Sequence, residues 1–278
     1  MATQAGRRIN TKGINMRTST LRFGGLLLAA FAATPVLADA PAAPAPTPDF
    51  TVTGGVTVVS DYKFRGISQA GSEAAIQGTL TLNHKSGLYA TVWGSSTGSK
   101  NYDGSNQEVD LSVGYHKTIG AFGYDVGALY YYYPGSTNLP TTDYLEPYAS
   151  VNYTFPKVST NVKLGGNFAY KQGTFGRANL YGYGEIAQPI PKTPITLHGH
   201  VGYTRAASLA GLATNVKDEA NYMDYFVGAD YVWKNVTFNV SYVGTDFSAA
   251  RALDYGVTGY YPHGDTKGRF VFSLGASF

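Results

Sequence analysis

Apolar and polar residues alternate with a period of two along most of the chain beyond residue 50. One such face carries Val109, Leu111, Val113 and Tyr115. Others carry Phe122, Tyr124, Val126, Ala128, Tyr130 and Tyr132; Ile195, Leu197, Val201 and Tyr203; Met223, Tyr225, Val227, Tyr231 and Trp233; and Val236, Phe238, Val240 and Tyr242. No charge falls on these faces. The residues between them are polar, among them Asp110, Ser112, His116, Asp125, His198, His200, Asp224, Asp230 and Asn239. Strict alternation over such lengths is the signature of strands with two unlike faces. It predicts twelve of them: 51–60, 73–83, 88–96, 107–117, 122–133, 143–154, 160–170, 178–188, 195–205, 221–233, 235–246 and 267–278. Soluble strands usually have about 5–6 residues, whereas a tilted strand needs about 9–11 to cross a bilayer. The segments fit the second length.

Alternation alone does not say which face is inside. A soluble sandwich buries its apolar face, and an outer-membrane barrel turns that face to lipid. Two further patterns favour the barrel. The connections alternate between long and short, with 61–72, 97–106, 134–142, 206–220 and 247–266 long and 84–87, 118–121, 189–194 and 234 short. If the first strand runs outward from the periplasm, the long connections are extracellular and the short ones periplasmic. Aromatics also sort by depth. Tyr115, Phe122, Trp233 and Phe278 fall near the periplasmic rim, and Tyr130, Tyr132, Tyr203 and Tyr242 near the outer one. Two girdles around an aliphatic band suit a lipid-facing surface. The final strand, RFVFSLGASF, then places Phe270, Phe272, Leu274 and Phe278 against lipid and pairs its edge with TVTGGVTVV (51–59). The reading is all-β: a transmembrane antiparallel up-and-down β-barrel of about 12 strands, with loop 247–266 a candidate constriction.

The first fifty residues have another character. Five basic residues precede the apolar run FGGLLLAAFAA (23–33), and Ala-Asp-Ala follows at 38–40 with no acid before Asp39. This is the layout of a secretory signal peptide, 1–38, cut after Ala38; its apolar run is too short for a spanning helix. Residues 39–50 form a Pro/Ala-rich periplasmic segment ahead of the barrel, 51–278. Five of the 21 basic residues leave with the signal, so 16 remain against 18 acids. The basic balance of the precursor therefore gives no support to a nucleic-acid partner. The absence of cysteine excludes disulfides, thiol chemistry and Cys-ligated zinc.

VSDYKFRGISQ (59–69), AIQGTLTLNHKSGLYATVWGSS (75–96) and EVDLSVGYH (108–116) resemble the TorF-type porin family of Gram-negative bacteria. The resemblance implies an outer-membrane β-barrel with a porin role and no catalytic residues. The terminal Phe278 is similar to the signal read by the barrel-assembly machinery.

Several side chains are candidates for chemistry. Asp61, Lys63, Arg65 and Gly66 open the first long loop. Lys63 and Arg65 either bind anionic lipopolysaccharide or a solute at the mouth, or belong to a turn. In that turn Asp61 accepts backbone donors, Gly66 takes positive φ and Arg65 pairs with a lumen acid. His198 and His200 share a face two residues apart, with Asp224 or Asp230 on the next strand. They are either a Zn or Cu chelate or two polar residues of a wet lumen. The inner wall carries Asp110, Asp125, Glu146, Glu185, Asp224 and Asp230 against Lys163 and Arg269. An acidic excess favours cations; full internal pairing would leave no preference.

No Walker loop, Rossmann fingerprint, HExxH or GxSxG is present, nor the His-x-Ser-Asn-Gly of a barrel phospholipase. The expected function is passive diffusion of small hydrophilic solutes or ions, without a cofactor. The expected partners are outer-membrane lipid, lipopolysaccharide and the assembly machinery. The rivals are a closed structural or binding barrel and, further off, a hydrolase.

Overall fold

A computed structural model describes residues 48–98, 104–136, 143–170, 178–206, 220–247 and 266–278. The expected signal peptide, most of the Pro/Ala segment and most of the expected constriction loop 247–266 lie outside the described residues.

Twelve strands close into one barrel. They are β1 (Phe50–Val59), β4 (Ala75–His84), β5 (Leu88–Ser96), β6 (Gln107–Ile119), β7 (Phe122–Tyr132), β8 (Tyr144–Thr154), β9 (Asn161–Ala169), β10 (Asn179–Pro189), β11 (Ile195–Ala206), β12 (Ala220–Trp233), β13 (Val236–Thr245) and β14 (Arg269–Ser277). Each pairs antiparallel with its neighbours in the chain, and β14 returns to β1. Their ends lie within two residues of those the alternation predicts. At the seam Val56 faces Ala276 and Val59 faces Ser273. Phe278 and Gly54 exchange both backbone hydrogen bonds, at 2.9 and 3.1 Å. Closure pairs the edges that an open sheet would leave bare in hydrocarbon.

The wall is apolar outside and polar inside. Val113 and Val227 are 61% and 63% exposed, while Asp110 and Thr237 are 4% and 6%. Water is the wrong solvent for such an exterior. Phe122, Tyr130, Tyr132, Tyr203, Trp233 and Phe278 are exposed on it. Tyr115 and Tyr242 lie on the same surface, half-covered by Tyr124 and Phe270.

One end of the barrel has short turns. Gly120-Ala121 and Lys234-Asn235 join their strands with two residues, and Gly120 and Lys234 take positive φ. That geometry follows the twist of the flanking strands. The other end carries the long connections. The first of these departs from expectation. It contains a small hairpin, β2 (Lys63–Phe64) and β3 (Ile67–Ser68), and this hairpin turns into the barrel instead of standing at the mouth.

Candidate functional site

Arg65 and Gly66 form the two-residue tip of the β2–β3 hairpin, with φ of 46° and 79°. Positive φ at both positions is a type I′ turn, which favours Asn-Gly. An arginine at its first position is strained. Its side chain supplies the reason. Arg65 Nη2 lies 2.7 Å from Glu146 Oε1 on β8, and Nη1 donates to Asn179 Oδ1 at 3.4 Å on β10. The guanidinium also sits 4.1 Å from the centre of the Tyr181 ring and 4.7 Å from that of Phe64. Glu146 is completed by Tyr131, which donates to Oε2 at 2.9 Å, and by Asn167 at 3.1 Å. Burial alone would lower the Arg65 pKa, but the Glu146 carboxylate together with Tyr131, Tyr181 and Tyr144 outweighs it and the pKa rises.

The rest of the hairpin is equally enclosed. Lys63 is 0% exposed. Its ammonium lies 3.2 Å from the Lys267 carbonyl and 3.6 Å from Asp61. Asp61 accepts from Ser68 Oγ at 2.5 Å, and Arg269 approaches its other oxygen at 3.7 Å. Burial pushes the Asp61 carboxyl up, opposed by Ser68, Lys63 and Arg269. Tyr62 packs edge-on to Trp93 on β5 within a cluster of Val59, Ala70, Ala75, Val243 and Val271. Phe64 packs edge-on to Tyr131 on β7. A Cβ on Gly66 would come within 2.7 Å of the Gly244 carbonyl on β13. The hairpin therefore meets walls on several sides of the lumen and fills its long-loop half.

Below it the wall is built differently. Tyr89 lies over Gly114 and Tyr148 over Gly127; Gly114 and Gly127 face each other across β6 and β7. A Cβ on either glycine would fall within 2.5 Å of the overlying hydroxyl. The two hydroxyls meet, and Tyr89 donates to Asp125 at 2.8 Å. Tyr183 covers Gly165, and Tyr181 covers Gly202, in the same manner. The glycines let large rings lie along the wall instead of projecting across the lumen. Beside them Tyr181 Oη donates to Asp224 at 3.1 Å and lies 2.9 Å from His200 Nε2. His200 faces Asp224 through Nε2 at 3.0 Å and Glu185 through Nδ1 at 3.2 Å, and its ring is stacked with Phe226. Lys163 completes the row, 3.7 Å from Glu185.

At the short-turn end lies a cavity of about 420 Å³. Lys163, Glu185, His198 and Phe226 line it together with Asn152, Asn161, Thr154 and Thr196. Its charges are paired within the wall. His198 faces Asp230 at 2.8 Å, and Asp230 also accepts from Asn239 at 2.6 Å.

The sequence-predicted lumen residues Asp110, Asp125, Glu146, Lys163, Glu185, His198, His200, Asp224 and Asp230 all point inward. Arg269 stands half-exposed at the long-loop end. His198 and His200 address different carboxylates, and no metal-binding group of three ligands occurs among the described residues. Lys63 and Arg65 are buried, not displayed at the mouth. Sequence reading missed Glu108, which is bonded to Tyr62 and Tyr133. Its signal was available, since it alternates in phase with Asp110. It also missed the tyrosines over glycines, which depend on register. Tyr131 and Tyr133 are buried inside as well.

No match was found among curated proteins. Solved structures give the fold. The KdgM porin in complex with disordered oligogalacturonate superposes with a TM-score of 0.52 at 11% identity, over 82% of this chain and 99% of that one. The NanC porin gives 0.52 at 13% identity, with the same coverage. The fold is thus the closed 12-stranded antiparallel barrel of outer-membrane porins. Residues 42–278 match the family described as "Bacterial protein of unknown function (Gcw_chp)", so the chain belongs to that family.

Proposed function

We propose that this protein is an outer-membrane channel for passive diffusion of small hydrophilic solutes or ions, with cations preferred. The observation that carries this reading is the inverted wall. An apolar exterior encloses a polar lumen that ends in a cavity of about 420 Å³. Cation preference is supported by the inward-facing charge: Glu108, Asp110, Asp125, Glu146, Asp224 and Asp230 outnumber Lys63, Arg65 and Lys163 among the described residues. In this reading the short turns are periplasmic and the long connections extracellular, contacting lipopolysaccharide. Residues 1–38 are a cleaved signal peptide, and the last strand is read by the assembly machinery. The likeness of residues 59–116 to the TorF-type porins supports the same assignment. Planar-bilayer conductance with ion substitution tests it: steps with a cation-selective reversal potential are expected, and an electrically silent barrel refutes the channel.

The inward hairpin supports a second reading, a closed barrel that binds lipid or a partner through its loops. Lipid retained after gentle purification, with no conductance in any variant, favours it. Hydrolysis is the weakest alternative. His84 does contact Ser86, at 2.8 Å, but both serve a turn: the Ser86 and Leu88 amides donate to them. Phospholipid or peptide turnover lost on replacing one histidine would establish a hydrolase.

A further inference from the structure

Resting on the channel reading, we propose that residues 63–68 form a movable plug, latched to the wall at Glu146 by Arg65, whose withdrawal opens the lumen.

Three observations carry this. The first is position. The tip reaches β7 through Phe64, β8 and β10 through Arg65, and β13 at Gly66. The tip thus lies across the long-loop half, in the path of a solute. The second is strain. Arg65 occupies a left-handed position where glycine or asparagine is at ease. The turn itself gains nothing from an arginine there. The guanidinium gains Glu146, Asn179 and the Tyr181 face, so the residue is placed for the latch.

The third is the uneven character of the hairpin. Its base is apolar: Tyr62 and Ala70 sit in the Trp93 cluster and anchor both ends of the loop. Its tip is held largely by polar contacts that stop short of saturation. Arg65 Nε and Asp224 Oδ2 are buried with no hydrogen-bond partner. Buried ion pairs contribute little net stability, because desolvation offsets their attraction. A tip held this way, on an apolar hinge, sits near balance between the lumen and the outside. The apolar Phe64 and Ile67 weigh toward the lumen, so closure is the resting state.

The test uses the full chain folded into bilayers. The protein has no native cysteine, so Ser68→Cys, at a fully buried position within the plug itself, reports withdrawal through a membrane-impermeant thiol reagent. Glu146→Gln is expected to raise the labelling rate at least tenfold and to raise open probability alongside it. Arg65→Gly, which relieves the turn as it removes the charge, is expected to do the same and guards against a folding failure of the first variant. Arg65→Lys keeps the charge but loses the forked and stacked contacts of the guanidinium, so its labelling should fall between the parent and Arg65→Gly, and the swap Arg65→Glu with Glu146→Arg should restore slow labelling. Labelling and conductance unchanged in both Glu146→Gln and Arg65→Gly overturn the latch. Faster labelling with every variant electrically silent upholds the movable plug and sinks the channel reading instead.

Discussion

At the long-loop end the barrel is filled with chain. Lys63 and Glu146 have almost no access to solvent, and Trp93 is packed against Tyr62. At the short-turn end the same twelve strands enclose a cavity, with tyrosines in the middle of the barrel laid flat on glycines. Strand number does not set this difference, because the wall is continuous. Side-chain placement does. One half is closed by an inserted hairpin and stabilised like a protein core. The other is kept open by removing Cβ atoms beneath large rings. The two halves should therefore fail differently when mutated.

The largest effect is expected in the filled half. Trp93→Ala removes a buried ring from the cluster at the hairpin base, and truncations of this kind cost about 3–5 kcal/mol. Urea unfolding of the barrel in lipid vesicles measures it. A loss below about 1 kcal/mol would mean that the plug is loosely seated and that the contrast between the halves is wrong.

Next comes the tyrosine panel. Gly114→Ala sets a Cβ 2.5 Å from the Tyr89 hydroxyl, with only side-chain atoms of Tyr89 in the way. The ring must swing into the lumen, losing its bond to Asp125. Overpacking of this sort costs about 1–3 kcal/mol, and single-channel conductance should fall as well. The double variant with Tyr89→Ala distinguishes the cause. In that background Gly114→Ala should cost almost nothing, a non-additivity expected only of touching residues. Additive losses would sink the idea that Gly114 exists to seat Tyr89.

A smaller effect concerns charge. Asp125 and Asp230 lie in the lower lumen, held by Tyr89 and by His198 with Asn239. Replacing both with Asn keeps the hydrogen-bonding shape and removes two negative charges. The reversal potential under a salt gradient should move toward zero. No movement would show that the lower half is already neutralised by its own pairs.

These contrasts also mark how far the sequence could be read. The strands were legible to within two residues because lipid on one side and a polar lumen on the other impose strict alternation. Inward placement of Asp125, Glu146 and Asp230 followed from phase alone. The hairpin was legible only in part: positive φ at Gly66 and a lumen acid for Arg65 belonged to one of the two readings of the motif, and the inward fold to neither. SDYKFRGIS is short, polar and glycine-containing, like any surface loop, and Arg-Gly is not the usual type I′ pair. What draws it inward are partners 81 and 114 residues away, Glu146 and Asn179. The tyrosine panel was hidden for a related reason. Tyr89 and Gly114 are both visible as inward residues, but only the pairing of β5 with β6 sets them opposite each other.

The smallest predicted effect sharpens the comparison most. Gly182 faces outward in the middle of β10, with nothing within 4 Å of where its Cβ would be. Gly182→Ala therefore meets no ring and no backbone, and it lowers the entropy of the unfolded chain. Its stability should change by less than about 0.5 kcal/mol, with conductance unaltered. Gly165, on β9 and paired across the sheet with Tyr183, has that ring 2.4 Å from its Cβ position. The same substitution there should behave like Gly114→Ala. If Gly182 and Gly165 respond alike, glycine in this wall serves strand twist or folding in general. If only the inward position is sensitive, these glycines are spaces reserved for aromatic rings, and the bore of the lower lumen is set by them.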